Sequence, residues 1–259
     1  MATAPPSYQH IQAERRDGAL WITLNRPPLN ILTIAMLDEL NGAVAGAAAP
    51  DVRALVFAAT GKAFSAGADV KEHAPGVVRA MLASFHRFFR TLARTAAPTV
   101  AVVQGPALGG GCELAIFCDL VIVAQSATFG QPEIKVGAFP PIAAVCFPHL
   151  MGLKPALELV LLGETVSAER ARELGLVTRV VPDQALAGEA AAVVGQLGKL
   201  SAPVLRLAKR AVYGAWVEGF DRTLVEAERL YLDDLMATED AGEGVQAFLE
   251  RRAPRWRHR

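Results

Sequence analysis

Cysteine is scarce in this sequence, and the positions of the few cysteines exclude two kinds of site. The 259 residues contain Cys112, Cys118 and Cys146, and no two of them have C-x-x-C spacing. Three such residues provide neither a disulfide framework nor a four-ligand zinc site, so we expect no metal site. This use of cysteine is typical of a reducing compartment, and we expect a cytoplasmic protein.

An excess of charge and long apolar runs are also missing. Lys and Arg number 26 and Asp and Glu number 26, so the net charge of zero gives no general support for binding nucleic acid. The C-terminal stretch RRAPRWRHR is a short basic exception. No apolar run is long enough to span a membrane, and the start, MATAPPSYQH, lacks the cationic and apolar regions of a signal peptide. We therefore expect neither a membrane nor a nucleic-acid partner.

Apolar residues are abundant, and their spacing predicts an α/β core followed by helices. They make up 52% of a chain that is long enough to bury a substantial core. Beyond Pro140 the strand signals almost vanish, apart from one at 176–181. We expect an α/β core over 1–182 and a helical region over 183–259. Within the core, the pattern predicts a hairpin turn at 16–18, helices at 33–49 and 76–95, and buried strands at 53–60, 98–105 and 119–125.

A serine follows the first of these buried strands, in the segment KAFSAGADVKE at 62–72. Its A-x-S-x-G pattern is one residue short of the G-x-S-x-G turn of serine hydrolases. Ala63 stands where that strained turn requires glycine, and Pro75 and Gly76 oppose the helix that should follow immediately. We expect Ser65 to pack or to form hydrogen bonds and not to act as a nucleophile.

A second glycine-rich segment, GPALGGGCELA at 105–115, lacks both common phosphate-binding motifs. Three glycines before a helix allow close approach of a ligand to free N–H groups, although a tight packing turn is the alternative. Glu113 lies in this apolar segment, and Glu133 follows a proline in ATFGQPEIKVG. Isolated carboxylates among apolar residues are paired, protonated or functional. Together with the backbone donors, the two glutamates predict an acid–base site around an oxyanion.

KAFSAGADVKE, GPALGGGCELAIFCDLVIVAQSATFGQPEIKVG and LNRPPLNIL together resemble the enoyl-CoA hydratase/isomerase (crotonase) superfamily. The similarity extends from the first hairpin to AFLERR near the end of the chain. It implies an α/β fold, a spiral of ββα units with a C-terminal helical trimerisation region, commonly assembled as a dimer of trimers. The implied partner is an acyl-CoA substrate, of which coenzyme A is a part, and no separate cofactor is expected.

The resemblance assigns the catalytic groups to four positions. The oxyanion-hole amides fall on Ala68 and Gly110, and the catalytic glutamates fall on Glu113 and Glu133. The presence of both glutamates favours hydration of an α,β-unsaturated thioester, with Glu113 as the base at the β carbon and Glu133 as the proton donor at the α carbon. The alternatives are an enoyl-CoA isomerase of the same superfamily and a non-catalytic member that binds CoA or RNA.

The resemblance also implies a path for coenzyme A along the backbone of residues 66–71, with Lys71 near the nucleotide. Residues of the C-terminal helix are expected to approach the adenine and the phosphates, usually from a neighbouring subunit. The residues predicted to bind CoA are Ala66, Ala68, Asp69, Val70, Lys71, Phe248 and Arg251.

One segment departs from the usual hydratase pattern. After Glu133 the chain continues with FPPIAAVCFPHLMG instead of a glycine-rich turn. With PPLNIL and KEHAPG, this segment resembles cyclohexa-1,5-diene-1-carboxyl-CoA hydratases. If Phe139, Ile142 and Val145 face the acyl group, the pocket is short and wide and suits a ring. The alternative is a pocket reshaped for another acyl group.

The helical region after Asp183 is predicted to hold a trimer together. Its apolar positions are more numerous than a thin helical appendage can bury by itself. The predicted interface residues are Leu224, Leu230, Leu232 and Leu235.

Overall fold

Two sheets form the β part of the computed structural model, which describes residues 7–214 and 216–259. The expectation about a signal peptide falls mainly on residues 1–6, outside the described residues. The strands are β1 (Ile11–Arg16), β2 (Ala19–Leu24), β3 (Ala54–Ala59), β4 (Thr99–Val103), β5 (Ala107–Leu108), β6 (Leu120–Ala124), β7 (Thr128–Gly130), β8 (Thr165–Ser167) and β9 (Arg179–Val181). The larger sheet has the order β1-β2-β3-β4-β6-β9, and the smaller has the order β5-β7-β8.

Helices connect the strands and make up most of the chain after Pro140. The α-helices are α1 (Ile34–Val44), α2 (Val78–Ala93), α3 (Gly110–Ile116), α4 (Pro141–Met151), α5 (Leu153–Leu162), α6 (Ala168–Glu173), α7 (Leu186–Gly198), α8 (Ala202–Tyr213), α9 (Trp216–Arg229) and α10 (Glu239–Leu249). Short 3₁₀ helices include Val70–His73 and Pro132–Val136, and Leu230–Asp234 forms a π-helical turn. The predicted α/β fold with a helical C-terminal part is confirmed.

The predicted hairpin is confirmed at the edge of the larger sheet. Strands β1 and β2 pair antiparallel, and every other pair in this sheet is parallel. Asp17 and Gly18 form the two-residue turn, and both have positive φ angles, 53° and 74°. This conformation is the one that a tight hairpin turn requires, and aspartate and glycine adopt it readily.

The two faces of the larger sheet bury separate apolar clusters. One face packs against α1 and α2, and its cluster continues into α3, α4 and α9. On the other face Trp21, Val56 and Ile122 pack against Leu186 and Val193 of α7. The first helix after Asp183 therefore covers the chain's own sheet.

The leucines predicted to form an oligomer interface lie mostly against the chain's own core. Leu224 is completely buried, and Leu232 and Leu235 pack on the same cluster. Leu230 is the exception, with 42% of its surface exposed. The prediction is wrong for Leu224, because α9 packs it into the apolar cluster of α2 and α4. Leu232 and Leu235 are half-buried, and for them and for Leu230 the interface stays a prediction. No helix among the described residues is long and apolar enough to cross a membrane.

Candidate active site

Ser65 ties the first predicted segment into the fold. Its side chain is completely buried, and its Oγ donates a hydrogen bond to the carbonyl oxygen of Asn30 at 2.8 Å. The same Oγ accepts a hydrogen bond from the Gly67 N–H at 3.2 Å. One hydrogen bond joins distant parts of the chain and the other is local, so the expectation that Ser65 forms hydrogen bonds is confirmed.

Backbone hydrogen bonds hold the two glycine-rich segments side by side. Leu108 donates its N–H to the Ser65 carbonyl at 2.9 Å, and Phe64 donates to the Pro106 carbonyl at 3.0 Å. Gly67 has a φ of +96°, and a Cβ on it would lie 2.9 Å from the Leu108 carbonyl oxygen. Only glycine permits this conformation and this approach, which places Ala68 next to Gly110.

Two backbone N–H groups lie close together where the segments meet. The N–H groups of Ala68 and Gly110 donate to no acceptor within residues 7–214 and 216–259. A Cβ on Gly110 would lie 3.4 Å from the Ala68 nitrogen and 2.9 Å from the Phe85 ring, so the absence of a side chain at position 110 permits this close approach. Two fixed donors at one point are able to stabilise a negatively charged oxygen.

Glu113 lies in the first turn of α3 and is 2% exposed. Its Oε1 accepts a hydrogen bond from the Ala143 N–H at 2.7 Å, in the first turn of α4. Free amides at a helix N-terminus stabilise a carboxylate. Burial outweighs these bonds and raises the pKa of Glu113. The FPPIAAVCF segment thus supplies the helix start that holds Glu113.

Glu133 follows β7 in the 3₁₀ helix Pro132–Val136 and approaches Gly109, where a Cβ would collide with its Oε1. Its Oε2 is buried and has no hydrogen-bond partner among the described residues. Burial raises the pKa of Glu133, and the negative charge of Glu113 raises it further. Since two adjacent carboxylates do not both ionise readily, the pair favours a state that holds one proton.

Two cavities meet at these groups. We name them the outer and the inner cavity. The volume that the centre of a water molecule can occupy is about 360 Å³ in the outer cavity and about 20 Å³ in the inner cavity. Ala68, His73 and Glu133 line both cavities, whereas Gly110 and Glu113 line the inner one. Ala68 therefore lies at the junction of the two cavities, and the inner cavity has room for about one water molecule.

Apolar side chains form most of the inner cavity. They come from α2, from the segment before α4 and from the first residue of α4, namely Met81, Leu82, Phe85, Phe139, Pro140 and Pro141. Tyr231 of the π-helical turn also lines this cavity. Of the three residues predicted to face the acyl group, only Phe139 lines the inner cavity. Ile142 and Val145 are buried in the core, so the prediction is wrong for them. Their spacing of three places both on the face of α4 that packs inward.

Four of the residues predicted to bind CoA line the outer cavity, namely Ala66, Ala68, Val70 and Phe248. Asp69, Lys71 and Arg251 do not. The Asp69 carboxylate accepts a hydrogen bond from the Lys71 N–H at 3.0 Å and caps the turn 70–73. The side chains of Lys71 and Arg251 are exposed.

Two other cations lie where Lys71 and Arg251 were expected to act. Lys135 and Arg252 both line the outer cavity. The Arg252 guanidinium is paired with Glu243, with Nη2 at 3.0 Å from Oε2, and with Glu250. Lys135 has no carboxylate within ion-pair distance among the described residues. Lys135 is therefore the cation of this cavity whose charge is not already neutralised.

The C-terminal part of the outer cavity belongs to the same chain. Helix α10 packs on the segment that carries Glu133, with Gly244 against the Val136 carbonyl and Gly137 against the Asp240 carbonyl. Ala247 and Phe248 follow on this helix and line the cavity. A neighbouring subunit was the expected source of Phe248, but the residue reaches the cavity within its own chain.

Sequence patterns did not identify His73 and Tyr231 as residues of the site. His73 hydrogen bonds through Nδ1 to the Asp69 carbonyl at 3.0 Å, and burial lowers its pKa. KEHAPG gives no signal that its histidine points to a cavity, since the residue lies on a single 3₁₀ turn. Tyr231 lies within an amphipathic helical pattern, where an aromatic residue normally belongs to the core.

Comparisons with known proteins extend over nearly the whole chain. A family model described as enoyl-CoA hydratase/isomerase matches residues 14–259. The chain is 41% identical over 257 residues to a probable enoyl-CoA hydratase of Mycobacterium bovis, covering 98% of this chain and 100% of that protein. It is 37% identical over 249 residues to a cyclohexa-1,5-dienecarbonyl-CoA hydratase of Thauera aromatica, covering 94% and 95%. An enoyl-CoA hydratase crystal structure from Mycobacterium avium subsp. paratuberculosis K-10 matches with a TM-score of 0.87 and 30% identity, covering 96% and 99%.

Proposed function

The chain belongs to the enoyl-CoA hydratase/isomerase family, has the crotonase fold and is an enzyme of the hydro-lyase type, and we propose that it adds water to an α,β-unsaturated acyl-CoA through Glu113 and Glu133. The observation that carries this mechanism is the meeting of the buried Glu113, the half-buried Glu133 and two backbone amides without a partner among the described residues at one small cavity. An acid, a base and an oxyanion site are the three elements that the addition of water to a thioester-conjugated double bond requires.

The amides of Ala68 and Gly110 stabilise the charge that forms on the thioester oxygen. When water attacks the β carbon, the electron pair of the double bond moves through the α carbon to the carbonyl oxygen. Because both donors are fixed by the backbone, they need no reorganisation as this charge develops. Loss of one such donor typically costs about 3–4 kcal/mol of activation free energy.

Glu113 and Glu133 exchange one proton in the proposed reaction. Glu113, held by the Ala143 amide, is ionised and takes a proton from water as the oxygen bonds to the β carbon. Glu133, whose pKa is raised by burial and by the Glu113 charge, is protonated and gives its proton to the α carbon. The pair holds one proton before and after the addition, and transfer from Glu113 to Glu133 restores the starting state.

The outer cavity receives the coenzyme A part of the substrate. It begins at the Ala68 amide and Glu133 and extends between residues 66–70 and α10 to Phe248. Lys135, the unpaired cation of its wall, is placed to contact a phosphate group. A CoA thioester bound in this direction presents its carbonyl at the junction and its acyl group to the inner cavity.

Glutamine substitutions at the two glutamates test the mechanism. Glu113→Gln and Glu133→Gln are each expected to lower kcat for hydration of crotonyl-CoA by at least about 100-fold, while the Kd of a saturated acyl-CoA changes little. Glu158→Gln on the exposed face of α5 is the matched control and should retain full activity. Steady-state kinetics and calorimetric titration measure the two quantities.

Full hydratase activity in either glutamate variant would disprove the assignment. A wild-type enzyme that moves the double bond of a 3-enoyl-CoA but forms no 3-hydroxyacyl product would instead establish the isomerase alternative. Tight CoA-ester binding without either reaction would favour a binding protein.

A cyclic dienoyl-CoA is a second candidate substrate. The relative from Thauera aromatica, with 37% identity, is named for hydration of cyclohexa-1,5-dienecarbonyl-CoA. Phe139 and Tyr231, with ring centroids 5.1 Å apart, offer flat apolar surfaces to a ring. A comparison of kcat/KM for crotonyl, long-chain enoyl, cyclohexenoyl and cyclohexadienoyl thioesters tests this candidate. The highest value on a long linear enoyl-CoA would exclude it while leaving the hydratase mechanism intact.

A trimer-based assembly completes the proposal. Exposed apolar side chains lie on the helical region after Asp183, and apart from Leu230 they differ from those that the sequence predicted. Leu200, Val204, Leu207 and Val212 are each more than half exposed, and Val212 reaches 87%. A second copy of the chain covering these side chains would remove them from water.

A further inference from the structure

Tyr231 is a buried side chain of the inner cavity for which the reaction described above has no role. It is 2% exposed, and it lies in the π-helical turn Leu230–Asp234 that follows α9. Turns of this type are rare and are frequently found at functional sites. The tyrosine ring packs against Phe139 and lines the cavity that also contains Glu113 and Glu133.

The hydroxyl group of Tyr231 lacks a partner in the part of the chain that the structure describes. Tyr213 shows the usual arrangement, since its hydroxyl donates to Asp119 at 2.6 Å. Glu133 Oε2, at the same inner cavity, is also without a partner among the described residues. Buried polar atoms normally find a partner in protein or water, and this cavity has room for about one water molecule. A single water molecule would serve both atoms.

The phenol keeps its proton in this environment. Burial raises the pKa of Tyr231, and the charges of Glu133 and Glu113 raise it further. The hydroxyl is therefore a hydrogen-bond donor at neutral pH, in a cavity where the other two acid groups share one proton.

We propose that Tyr231 donates its hydroxyl hydrogen to the oxygen of the reacting water, the oxygen that becomes the β-hydroxyl group of the product. This inference rests on the proposed hydratase function and makes Tyr231 a third catalytic residue. In the reverse direction, the same hydrogen bond stabilises the oxygen as its bond to the β carbon breaks and the proton returns from Glu113 to the leaving water.

The hydrogen-bonding capacity of one water molecule accounts for all of these groups. Its two hydrogens go to the Glu113 carboxylate and to the unprotonated oxygen of Glu133. One lone pair accepts the Tyr231 hydrogen, and the other is left to attack the β carbon. Without the Tyr231 hydroxyl, the water still donates to Glu113 and Glu133, but both of its lone pairs are free. The lone pair that should attack the β carbon is then no longer fixed in direction.

The substitution Tyr231→Phe tests this role because it removes the hydroxyl and retains the ring. We expect kcat for hydration of crotonyl-CoA and for dehydration of 3-hydroxybutyryl-CoA to fall about 10- to 100-fold. Exchange of the α hydrogen of butyryl-CoA in D₂O uses the oxyanion site and a glutamate but no β oxygen. We expect this exchange to stay within about twofold of wild type.

Tyr213→Phe is the matched control, since it removes a hydroxyl from a tyrosine outside the two cavities. It should leave the ratio of hydration to exchange unchanged. If Y231F hydrates within twofold of wild type, or loses hydration and exchange equally, the proposal is overturned while the hydratase function stands. A wild-type protein without hydration activity would overturn both.

A second measurement avoids dependence on the folding of the variant. 3-Fluorotyrosine at position 231 keeps the ring and the hydroxyl but makes the hydroxyl a stronger donor. The dehydration rate should change by at least about twofold relative to α-hydrogen exchange. An unchanged ratio would contradict a hydrogen bond to the reacting oxygen.

Discussion

At the scale of single residues, the proton shared by Glu113 and Glu133 determines when the site is active. The proposed reaction requires an ionised Glu113 and a protonated Glu133. At low pH a second proton binds and removes the base, and at high pH the last proton leaves and removes the acid. Burial raises both pKa values, and the Glu113 charge adds to the increase at Glu133. The two pH values at which activity is lost, on the acidic and on the basic side, are therefore both higher than the pH at which exposed carboxyl groups titrate.

We predict a bell-shaped dependence of kcat/KM on pH for the wild-type enzyme. Because both pKa values are raised, the acidic limb should lie above the range in which exposed carboxyl groups titrate, and activity should fall as the pH drops through it. Initial rates on crotonyl-CoA across the stability range of the protein measure this profile. An acidic limb in the ordinary carboxyl range would contradict the shared-proton arrangement.

His73 requires a control, because it lines both cavities and is itself a titratable group, whose pKa burial lowers from its ordinary value. His73→Asn keeps a hydrogen-bond donor near the position of Nδ1 but does not titrate. If the glutamate pair causes the acidic limb, its position should be the same in this variant, whatever the change in the overall rate. Disappearance of the limb would assign it to the histidine.

Residue chemistry allowed part of the site to be predicted. Glu113 and Glu133 were recognisable because a carboxylate among apolar residues is costly unless it is paired, protonated or functional. The structure brings both to one cavity. Tyr231 was not recognisable, because it comes from a turn about 100 residues further along the chain and looks like an ordinary core residue. Lys135 and Arg252 line the outer cavity and Lys71 and Arg251 do not, because the direction of a side chain on a short turn or at a helix end depends on backbone geometry that the sequence does not reveal.

At the scale of elements, the contact between α10 and the Glu133 segment links substrate binding to the acid–base pair. Gly244 lies against the backbone of Val136 and Gly137, and a Cβ there would overlap the Val136 carbonyl and lie 2.7 Å from the Gly137 nitrogen. Backbone atoms cannot move aside as a flexible side chain can. The absence of a side chain at position 244 is therefore what permits this contact.

We predict that Gly244→Ala lowers the free energy of unfolding by about 1–3 kcal/mol. It should also raise KM for crotonyl-CoA more than it lowers kcat, because displacement of α10 moves Phe248 at the wall of the outer cavity. Chemical denaturation and steady-state kinetics measure the two effects.

Gly242→Ala is the control on the same helix, where a Cβ would meet no atom within 4 Å. This change should raise stability by up to about 1 kcal/mol through helix propensity and leave KM unchanged. Equal effects of the two substitutions would show that close contact at Gly244 is not the cause.

The elements themselves were largely predictable, and the exceptions have physical reasons. The hairpin, the buried strands and α2 follow from apolar periodicity and turn residues. The direction in which α9 packs did not follow, because Leu224, Leu230 and Leu232 look equally apolar whichever partner covers them. Only the position of α9 against α4 reveals that Leu224 is covered by its own chain.

At the scale of the whole molecule, the exposed apolar side chains after Asp183 predict self-association. We expect sedimentation at micromolar concentration to give a trimer or a multiple of it, against a chain mass of 27.5 kDa. Val212→Glu should weaken this assembly, because it places a charge on a side chain that association would bury.

Leu153→Glu on α5 is the matched control, since Leu153 is 61% exposed but precedes the helical region after Asp183. It should not affect the assembly. A stable wild-type monomer, or dissociation by L153E and not by V212E, would contradict the predicted location of the interface.

The difference in size between the two cavities has a consequence for the use of binding energy. An acyl group is larger than a water molecule, so the inner cavity has to widen when a thioester enters. In the proposed binding mode, the favourable contacts that offset this work are those of the unreactive part of the substrate with the outer cavity. Binding of the nucleotide then raises kcat as well as lowering KM. A thioester that lacks the nucleotide would react slowly even at a saturating concentration.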